Sequence, residues 1–290
     1  MRLAALACVA ALLAACAPNE QSSLAPTASP NFAYNDPTRV DLVGLPDLIV
    51  DGPSTQQHWV VRNEKLAENF CSVIEGGVQP GLRRLLRFTV TTPNVGDADV
   101  FIGSPLDHYN ANDGLYELST CHNHFHFKNY ATYKLIDAAT GKVWKAAKRG
   151  FCMLDTDPYD QKIATAPRNF WNCGSLTGDG FQGISKGWSD TYTFKLGGQY
   201  FVLDGGDGQP VVPPGNYIIQ VEVNPAYAPV GKQGCPRVTD PATGLCHQFT
   251  ESSYANNTTS VAITIPINSG RTGYGPEKDS AIETTESVEH

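Results

Sequence analysis

Wherever this chain shows a regular pattern, hydrophobic residues occupy every second position. The alternation is clearest in three runs, at residues 86–90, 217–223 and 261–265. A period of two places the apolar side chains on one face of a β-strand. Turn signals such as Pro213-Pro214-Gly215 punctuate these runs, and only residues 64–74 offer a short possible helix. The sequence therefore predicts an all-β fold, a single β-sandwich-like domain over residues 40–268 with long loops and little helix.

The two ends of the chain differ from this central region. Residues 1–15 join a positive start to an apolar run, which is typical of an export signal. Their junction with Cys16 resembles the lipobox of bacterial lipoproteins, which predicts a lipid on Cys16; an ordinary signal peptide and a secreted protein are the alternative. Residues 16–39 are rich in Ala, Pro, Ser and Thr and predict a flexible tether. Residues 269–290 predict a disordered acidic tail.

Composition narrows the class of protein. The 41% hydrophobic content is enough for a packed core, and the formal net charge of −8 argues against nucleic acid as a partner. No stretch after the N-terminus is long and apolar enough to span a membrane, so membrane contact is expected only through a lipid anchor. Export places the chain in an oxidising compartment of the cell envelope. The cysteines that remain once Cys8 and Cys16 are set aside are even in number, so disulfides are expected.

Three of the 7 histidines follow Cys121 at alternate positions, His122, His124 and His126. In an extended strand these side chains share one face, and neutral imidazole is a common ligand of copper, zinc and iron. The first and third Cα atoms of a flat strand lie about 13 Å apart, which is a stretch for one ion, so a bend or bulge is expected here. The sequence predicts a metal site, against the alternative of a solvated strand face that is rich in histidine.

The segment from Cys121 to His126 resembles the copper-binding motif of the lysyl oxidase family, in which a cysteine precedes three alternating histidines. The likeness covers most of residues 45–265 and rests on short motifs in the family's order. These motifs are PDL at 46–48, RLLRF at 84–88, YE at 116–117, KRGFC at 148–152, DT at 155–156, DTY at 190–192, PGNYI at 214–218, VNP at 223–225 and ESSYANN at 251–257. The resemblance implies that His122, His124 and His126 bind copper.

In that family a lysine and a tyrosine are cross-linked, with the help of copper, into lysyl tyrosylquinone, a carbonyl cofactor that condenses with primary amines. By motif position the resemblance assigns these roles to Lys148 and Tyr192. It also makes Asp155 a candidate general base, since a family acidic position lies there; the alternative is a strand-end or turn carboxylate. Without the resemblance, Lys148 reads as a solvated charge and Tyr192 as a core residue.

The sequence departs from the animal members of that family in two places, between Lys148 and Tyr192 and just before the histidine motif. The spacing between Lys148 and Tyr192 is several residues longer, and the extra residues include 174–187. Leu118 and Ser119 stand where the animal enzymes have an aromatic–histidine pair. The motif therefore offers three candidate copper ligands and leaves the fourth unassigned.

Three disulfides are expected, and the resemblance bears on their pairing. The expected pairs are Cys121–Cys173, Cys235–Cys246 and Cys71–Cys152. The first matches a family pair. The second brackets an insertion relative to the animal enzymes and is expected to close it locally. The third follows by elimination and is the weakest, because six cysteines allow fifteen connectivities.

The resemblance also points to a second ion. Asp47, Glu251, Asn256 and Asn257 match positions that bind calcium in some members, and calcium accepts carboxylate and amide oxygens together. Ser253 replaces a carboxylate there, which would weaken the site. The alternative is that Asn256-Asn257 forms a turn before the last strand.

The resemblance implies a copper- and quinone-dependent amine oxidase. Such an enzyme converts primary amines, either lysine side chains of proteins or small amines, to aldehydes and releases ammonia and hydrogen peroxide. Two alternatives remain open. One is a non-catalytic exported β-sandwich module that holds copper or zinc, and the other is a metal-activated hydrolase with an open water position. A lysine placed to meet Tyr192 distinguishes the oxidase from the passive module.

Overall fold

Strands dominate the computed structural model, which describes residues 40–75, 77–148, 150–164, 168–178, 180–231 and 234–281. Among these residues the α-helices are α1 Gly52–Gln57, α2 Cys71–Ile74 and α3 Pro105–Ala111. The strands are β1 Trp59–Leu66, β2 Gly81–Phe88, β3 Val90–Pro93, β4 Val100–Gly103, β5 Tyr116–Ser119, β6 His124–Phe127, β7 Ala131–Asp137, β8 Val143–Lys145, β9 Asp157–Pro158, β10 Gln182–Ile184, β11 Trp188–Tyr192, β12 Tyr200–Val202, β13 Gly215–Val223, β14 Val238–Thr239, β15 Cys246–His247 and β16 Thr258–Ile265. The predicted all-β class with little helix is confirmed. The expectations for residues 1–39 and 282–290 lie outside the described residues.

The core forms where three antiparallel sheets meet. Their strand orders are β16-β13-β7-β8, β1-β2-β12 and β3-β11-β9. Burial along β13 alternates as the period of two predicts, with Tyr217, Ile219 and Val221 buried between less buried neighbours. These residues belong to one hydrophobic cluster with Phe88 of β2 and Tyr192 of β11. Tyr192 therefore lies in the main core rather than on the surface.

Arg87 ties β2 to the loop before β12 from inside the fold. Arg87 is 2% exposed, and its guanidinium donates to the Glu64 carboxylate through Nε and Nη2 at 2.9 and 2.8 Å. Nη1 donates to the carbonyls of Phe194 and Leu196 at 3.2 and 2.9 Å. A buried charge is tolerated when it is paired and hydrogen-bonded in this way. The contacts fix the loop that carries Gly198 against the backbone of Lys148.

The segment after β16 differs from the disordered tail that the sequence predicts. Tyr274 exchanges two backbone hydrogen bonds with Val61, at 2.8 and 2.9 Å, and Glu277 bonds to His58 Nδ1 at 2.6 Å. The segment thus covers the edge of β1. Gly275, with φ 130°, permits the approach, because a Cβ there would lie 2.7 Å from a β1 carbonyl oxygen. For residues 269–281 the prediction of disorder was wrong, because a polar segment can still pair with a strand through its backbone groups.

The possible helix at 64–74 forms only in its last part. Residues 64–66 complete β1, and only Cys71–Ile74 is helical. The register of β1 against β2, from Trp59 opposite Phe88 to Leu66 opposite Gly81, holds the first part of the stretch extended. No helix of the described residues has the length and apolar character that a membrane span requires.

The disulfides differ from expectation in two of three pairs. The structure pairs Cys71 with Cys121, Cys152 with Cys173 and Cys235 with Cys246, with Cα atoms 5.6, 5.5 and 5.2 Å apart. The local Cys235–Cys246 pair is confirmed, whereas the expected Cys121–Cys173 and Cys71–Cys152 pairs were wrong. The loop of Cys173 does reach β6, but through its backbone, since Phe125 N–H donates to Gly174 O at 3.1 Å. The Cys173 side chain instead joins the hydrophobic cluster of Cys152 and Phe170.

Candidate active site

The three histidines converge at the end of the β5–β6 hairpin. His122 lies in the turn between the strands, His124 opens β6, and His126 follows on the same face. Asn123 adopts a left-handed conformation with φ 56°, and this turn is the bend that the sequence predicts. One ligand nitrogen from each ring lies within 4.8 Å of the other two. The cluster could therefore hold one metal ion.

The chemistry of the donor set fits copper or zinc. Imidazole suits both ions, and the ring centroids of the three histidines lie 5.0 to 5.4 Å apart. The Nε2 atoms of His122, His124 and His126 are all buried. Within the described ranges this is the one group of three or more His, Cys, Asp or Glu side chains placed to hold a metal.

Residues 150–152 connect the histidine cluster with Tyr192. A Cβ built on Gly150 would overlap the imidazole of His126, so the glycine backbone packs directly against this ring. The next residue, Phe151, accepts a backbone hydrogen bond from Phe127 of β6 at 2.6 Å. Cys152 donates its N–H to Tyr192 Oη at 2.7 Å and accepts from the same hydroxyl at 2.8 Å. One short segment thus contacts both parts of the site.

Lys148 and Tyr192 meet as the resemblance implies. Lys148 Nζ lies 4.8 Å from the centroid of the Tyr192 ring and 5.8 Å from that of Phe151. Tyr192 is 1% exposed, and its ring packs edge-on against Phe151 at 5.4 Å. A cation over an aromatic face is an attractive contact. It also places the amine beside the ring to which a cross-link would attach it.

Asp190 is a site residue to which sequence reasoning assigned no role. It lies two positions before Tyr192 on β11, hence on the same face of the strand, and it is fully buried. Burial raises the pKa of its carboxyl well above the ordinary value, while the positive charge of Lys148 acts to lower it. The signal available in the sequence was the alternation within Asp190-Thr191-Tyr192.

Asp155, the predicted general base, makes the contacts of a structural carboxylate. It accepts from the backbone N–H groups of Asn169, Phe170 and Ser185 at 2.8, 3.0 and 2.7 Å. The Ser185 hydroxyl donates to it as well, at 2.8 Å. Burial raises the pKa of Asp155 to about 6, and these hydrogen bonds act to lower it. The contacts favour the turn-carboxylate alternative over the catalytic role.

A cavity of about 300 Å³ opens on Lys148. Its walls come from β7, the end of β8 and the 148–151 segment, and the lining includes Tyr133, Lys134, Lys145 and Phe151. The cavity offers a route from solvent to Lys148.

The four residues predicted to bind calcium come together at the start of the domain and before β16. Asn256 Nδ2 donates to Asp47 Oδ1 at 3.1 Å. Glu251 Oε1 accepts from Asn224 and Asn257 amides at 2.7 and 2.8 Å. The Oδ1 atom of Asn257 is buried and has no hydrogen-bond partner among the described residues, so it offers an oxygen to a cation. Calcium binding here stays a prediction.

The buried carboxyl of Glu251 predicts a pH-dependent stability. It also accepts from Leu48 N–H at 2.5 Å, yet burial raises its pKa from 4.5 to about 7. The folded state therefore favours the protonated form. The associated stability is present below pH 4.5 and is lost as the pH rises through about 7, by up to about 3 kcal/mol.

Urea unfolding at pH 5 and pH 8 with a chelator present measures this loss. We expect the unfolding free energy of wild type to fall from pH 5 to pH 8. That of Glu251→Gln should not fall in this way, because glutamine resembles the protonated acid. Glu222→Gln is the control and should follow wild type. Added calcium should stabilise wild type at pH 8 and not the Glu251→Gln variant. An identical pH dependence in all three proteins would contradict the assignment.

Fold and site together define an all-β protein in which a three-histidine cluster able to hold a metal lies near Lys148 and the buried Tyr192. The profile of the lysyl oxidase family matches residues 61–233, which is more than half of the chain, and the chain belongs to that family. The matched region contains the histidine cluster, Lys148 and Tyr192, so the family assignment covers the whole site.

Individual relatives agree with this assignment. Human lysyl oxidase homolog 1 is 32% identical over 196 residues, which are 63% of this chain and 30% of that protein. Protein-lysine 6-oxidase from rat is 31% identical over 199 residues, covering 63% of this chain and 42% of the relative. Protein-lysine 6-oxidase from pig is 31% identical over 199 residues, which cover 63% of this chain and 70% of the relative. The chain thus spans less than half the length of the first two relatives.

Proposed function

We propose that the protein is a copper-dependent amine oxidase that oxidises primary amines, either lysine side chains of proteins or small amines. The reaction consumes the amine, dioxygen and water and yields the aldehyde, ammonia and hydrogen peroxide. The position of Lys148 Nζ, 4.8 Å from the Tyr192 ring centroid, carries the proposal. Lys148 comes two residues before the segment 150–152, which contacts both Tyr192 and the histidine cluster. A passive metal-binding module has no need of this pair, and a hydrolase has no use for it.

Two cofactors would be held by residues of the site. Copper bound by His122, His124 and His126 would supply chemistry with dioxygen, and a quinone built from Lys148 and Tyr192 would supply a carbonyl that takes two electrons from the amine. The matched relatives named protein-lysine 6-oxidase support this assignment. A calcium ion at Glu251 and Asn257 would serve the fold, since it would replace hydrogen bonds that join the two ends of the domain.

The protein's own residues would orient the pair and exclude water. The backbone of Cys152 fixes the Tyr192 hydroxyl through two hydrogen bonds. The rings of Phe151, Tyr130 and Tyr133 pack edge-on around the pair, with Phe151 in contact with each of the others. Burial raises the pKa of the Asp190 carboxyl well above its ordinary value, and the positive charge of Lys148 acts to lower it. Such preorganised groups lower the cost of reaching the reactive geometry.

Mass spectrometry of protein loaded with copper in air tests the proposal. We expect a covalent peptide joining Lys148 to Tyr192 that reacts with a carbonyl reagent, and amine-dependent release of peroxide. Lys148→Arg should abolish both, because the guanidinium stays protonated and is not a nucleophile at neutral pH. The matched control Lys145→Arg changes a neighbouring lysine of the same cavity and should keep both. Copper-loaded wild type with both residues unmodified and no peroxide from any primary amine would refute the oxidase.

A further inference from the structure

A chain of hydrogen bonds runs from Glu75 to the first histidine of the metal cluster. Ser119 Oγ donates to Glu75 Oε1 at 2.6 Å and lies 3.0 Å from His122 Nδ1. The backbone N–H of His122 also donates to the Ser119 oxygen, at 3.1 Å. Glu75 Oε1 itself lies 3.7 Å from His122 Nδ1. The carboxylate therefore lies on the Nδ1 side of the imidazole.

The donors and acceptors along this chain assign the tautomer of His122. A carboxylate only accepts, so the single hydroxyl hydrogen of Ser119 goes to Glu75. The hydroxyl oxygen then has two lone pairs, which accept from the His122 backbone N–H and from Nδ1–H. With the ring hydrogen on Nδ1, Nε2 keeps its lone pair. That Nε2 atom is buried, and the ring centroid lies 5.4 Å from those of His124 and His126.

The Cys71–Cys121 disulfide brings Glu75 to the cluster. Glu75 is the C-cap residue directly after α2, and α2 begins at Cys71. The bond from Cys71 to Cys121 attaches this helix directly beside His122. Ser119 is held independently, since it is the last residue of β5, pairs with His124 across the hairpin and is 5% exposed. Glu75 and Ser119 are thus both held in place before any ion is bound.

We propose that Glu75, acting through Ser119, is a positioning residue for the metal centre. It holds His122 in the Nδ1–H tautomer and aims Nε2 at the ion. Metal-bound histidines generally donate their second ring N–H to an outer partner, and loss of that partner lowers metal affinity by about 10- to 100-fold. The inference rests on the metal centre of the proposed function, but not on amine oxidation.

Copper(II) titration of the whole protein tests the positioning role without any turnover. Ser119→Ala and Glu75→Ala are each expected to bind copper(II) about 10- to 100-fold more weakly and to change the electron paramagnetic resonance spectrum of the bound ion. The double variant should be no weaker than Ser119→Ala alone, because both changes break the same chain. Ser119→Thr keeps the hydroxyl and should restore wild-type affinity. Glu68→Gln changes an exposed acid nearby and is the matched control.

The outcomes separate this inference from the proposed function. Wild-type affinity and spectrum in both Ser119→Ala and Glu75→Ala would overturn the positioning role and leave the oxidase standing. A lower melting temperature of the metal-free variants with unchanged affinity would show a purely structural role, and would overturn it too. Failure of the wild-type protein to bind copper(II) would overturn the metal centre, and with it both proposals.

Discussion

The Gly150→Ala variant is expected to lose copper affinity by about 100-fold, the upper end of the range for changes that misorient a metal-binding histidine. The methyl group would occupy space that the imidazole of His126 now fills, and three atoms of that ring are its nearest neighbours. The backbone hydrogen bond between Phe127 and Phe151 holds the two segments together, so the ring must rotate away. Competition between the protein and a copper chelator measures the affinity.

Gly215→Ala is the control for that experiment. Its added Cβ would meet Tyr217 Cε2 at 3.6 Å, an ordinary contact, so copper affinity should equal that of wild type. The metal-free Gly150→Ala protein should lose about 1–3 kcal/mol of unfolding free energy through overpacking. If Gly150→Ala binds copper as wild type does, the 150–152 segment does not support the cluster, and the connection between the histidine cluster and Tyr192 fails.

Local periodicity was enough to predict the strands that build the core. The alternation at 217–223 and 261–265 became β13 and β16, because the side-chain period of an extended chain is fixed by backbone geometry. The same reasoning, with the spacing that one ion requires, predicted the bend that Asn123 provides. The convergence of His122, His124 and His126 followed from local rules and ligand chemistry alone.

Local periodicity and ligand chemistry could not predict the long-range contacts. The pairing of Cys71 with Cys121 depends on where α2 docks, and the edge pairing of Tyr274 with Val61 uses backbone groups that every residue carries. Neither leaves a periodic trace in the sequence. The resemblance implied the meeting of Lys148 with Tyr192, which spacing could not have predicted.

Asp155 and Asp190 show the same limit of prediction from sequence. Asp155 resembled a catalytic residue by its position in the chain, but its oxygens accept from surrounding backbone amides. Asp190, in contrast, lies where the charge of Lys148 acts on it. Which carboxylate faces a reactive amine is decided by tertiary packing. Sequence order does not determine it.

The Tyr192→Phe variant is expected to lose all amine-dependent peroxide release and all labelling by carbonyl reagents, while it keeps wild-type copper affinity. The phenol hydroxyl contacts the backbone of Cys152, and its loss leaves the histidine rings in place. The buried N–H and C=O of Cys152 then lose a hydrogen-bond partner, which should cost about 1–3 kcal/mol of unfolding free energy. Peroxide assays, copper titration and urea unfolding measure the three effects separately.

Tyr217→Phe provides the comparison that separates chemistry from packing. Tyr217 is 1% exposed, and its hydroxyl donates to the Pro213 carbonyl at 2.7 Å, so this variant also removes a hydroxyl from a core tyrosine. It should lose stability by the same mechanism and still form the Lys148–Tyr192 peptide. If Tyr192→Phe retained amine oxidation, the quinone could not arise from Tyr192. If both variants lost oxidation equally, the effect would be one of folding, because only Tyr192 lies beside Lys148.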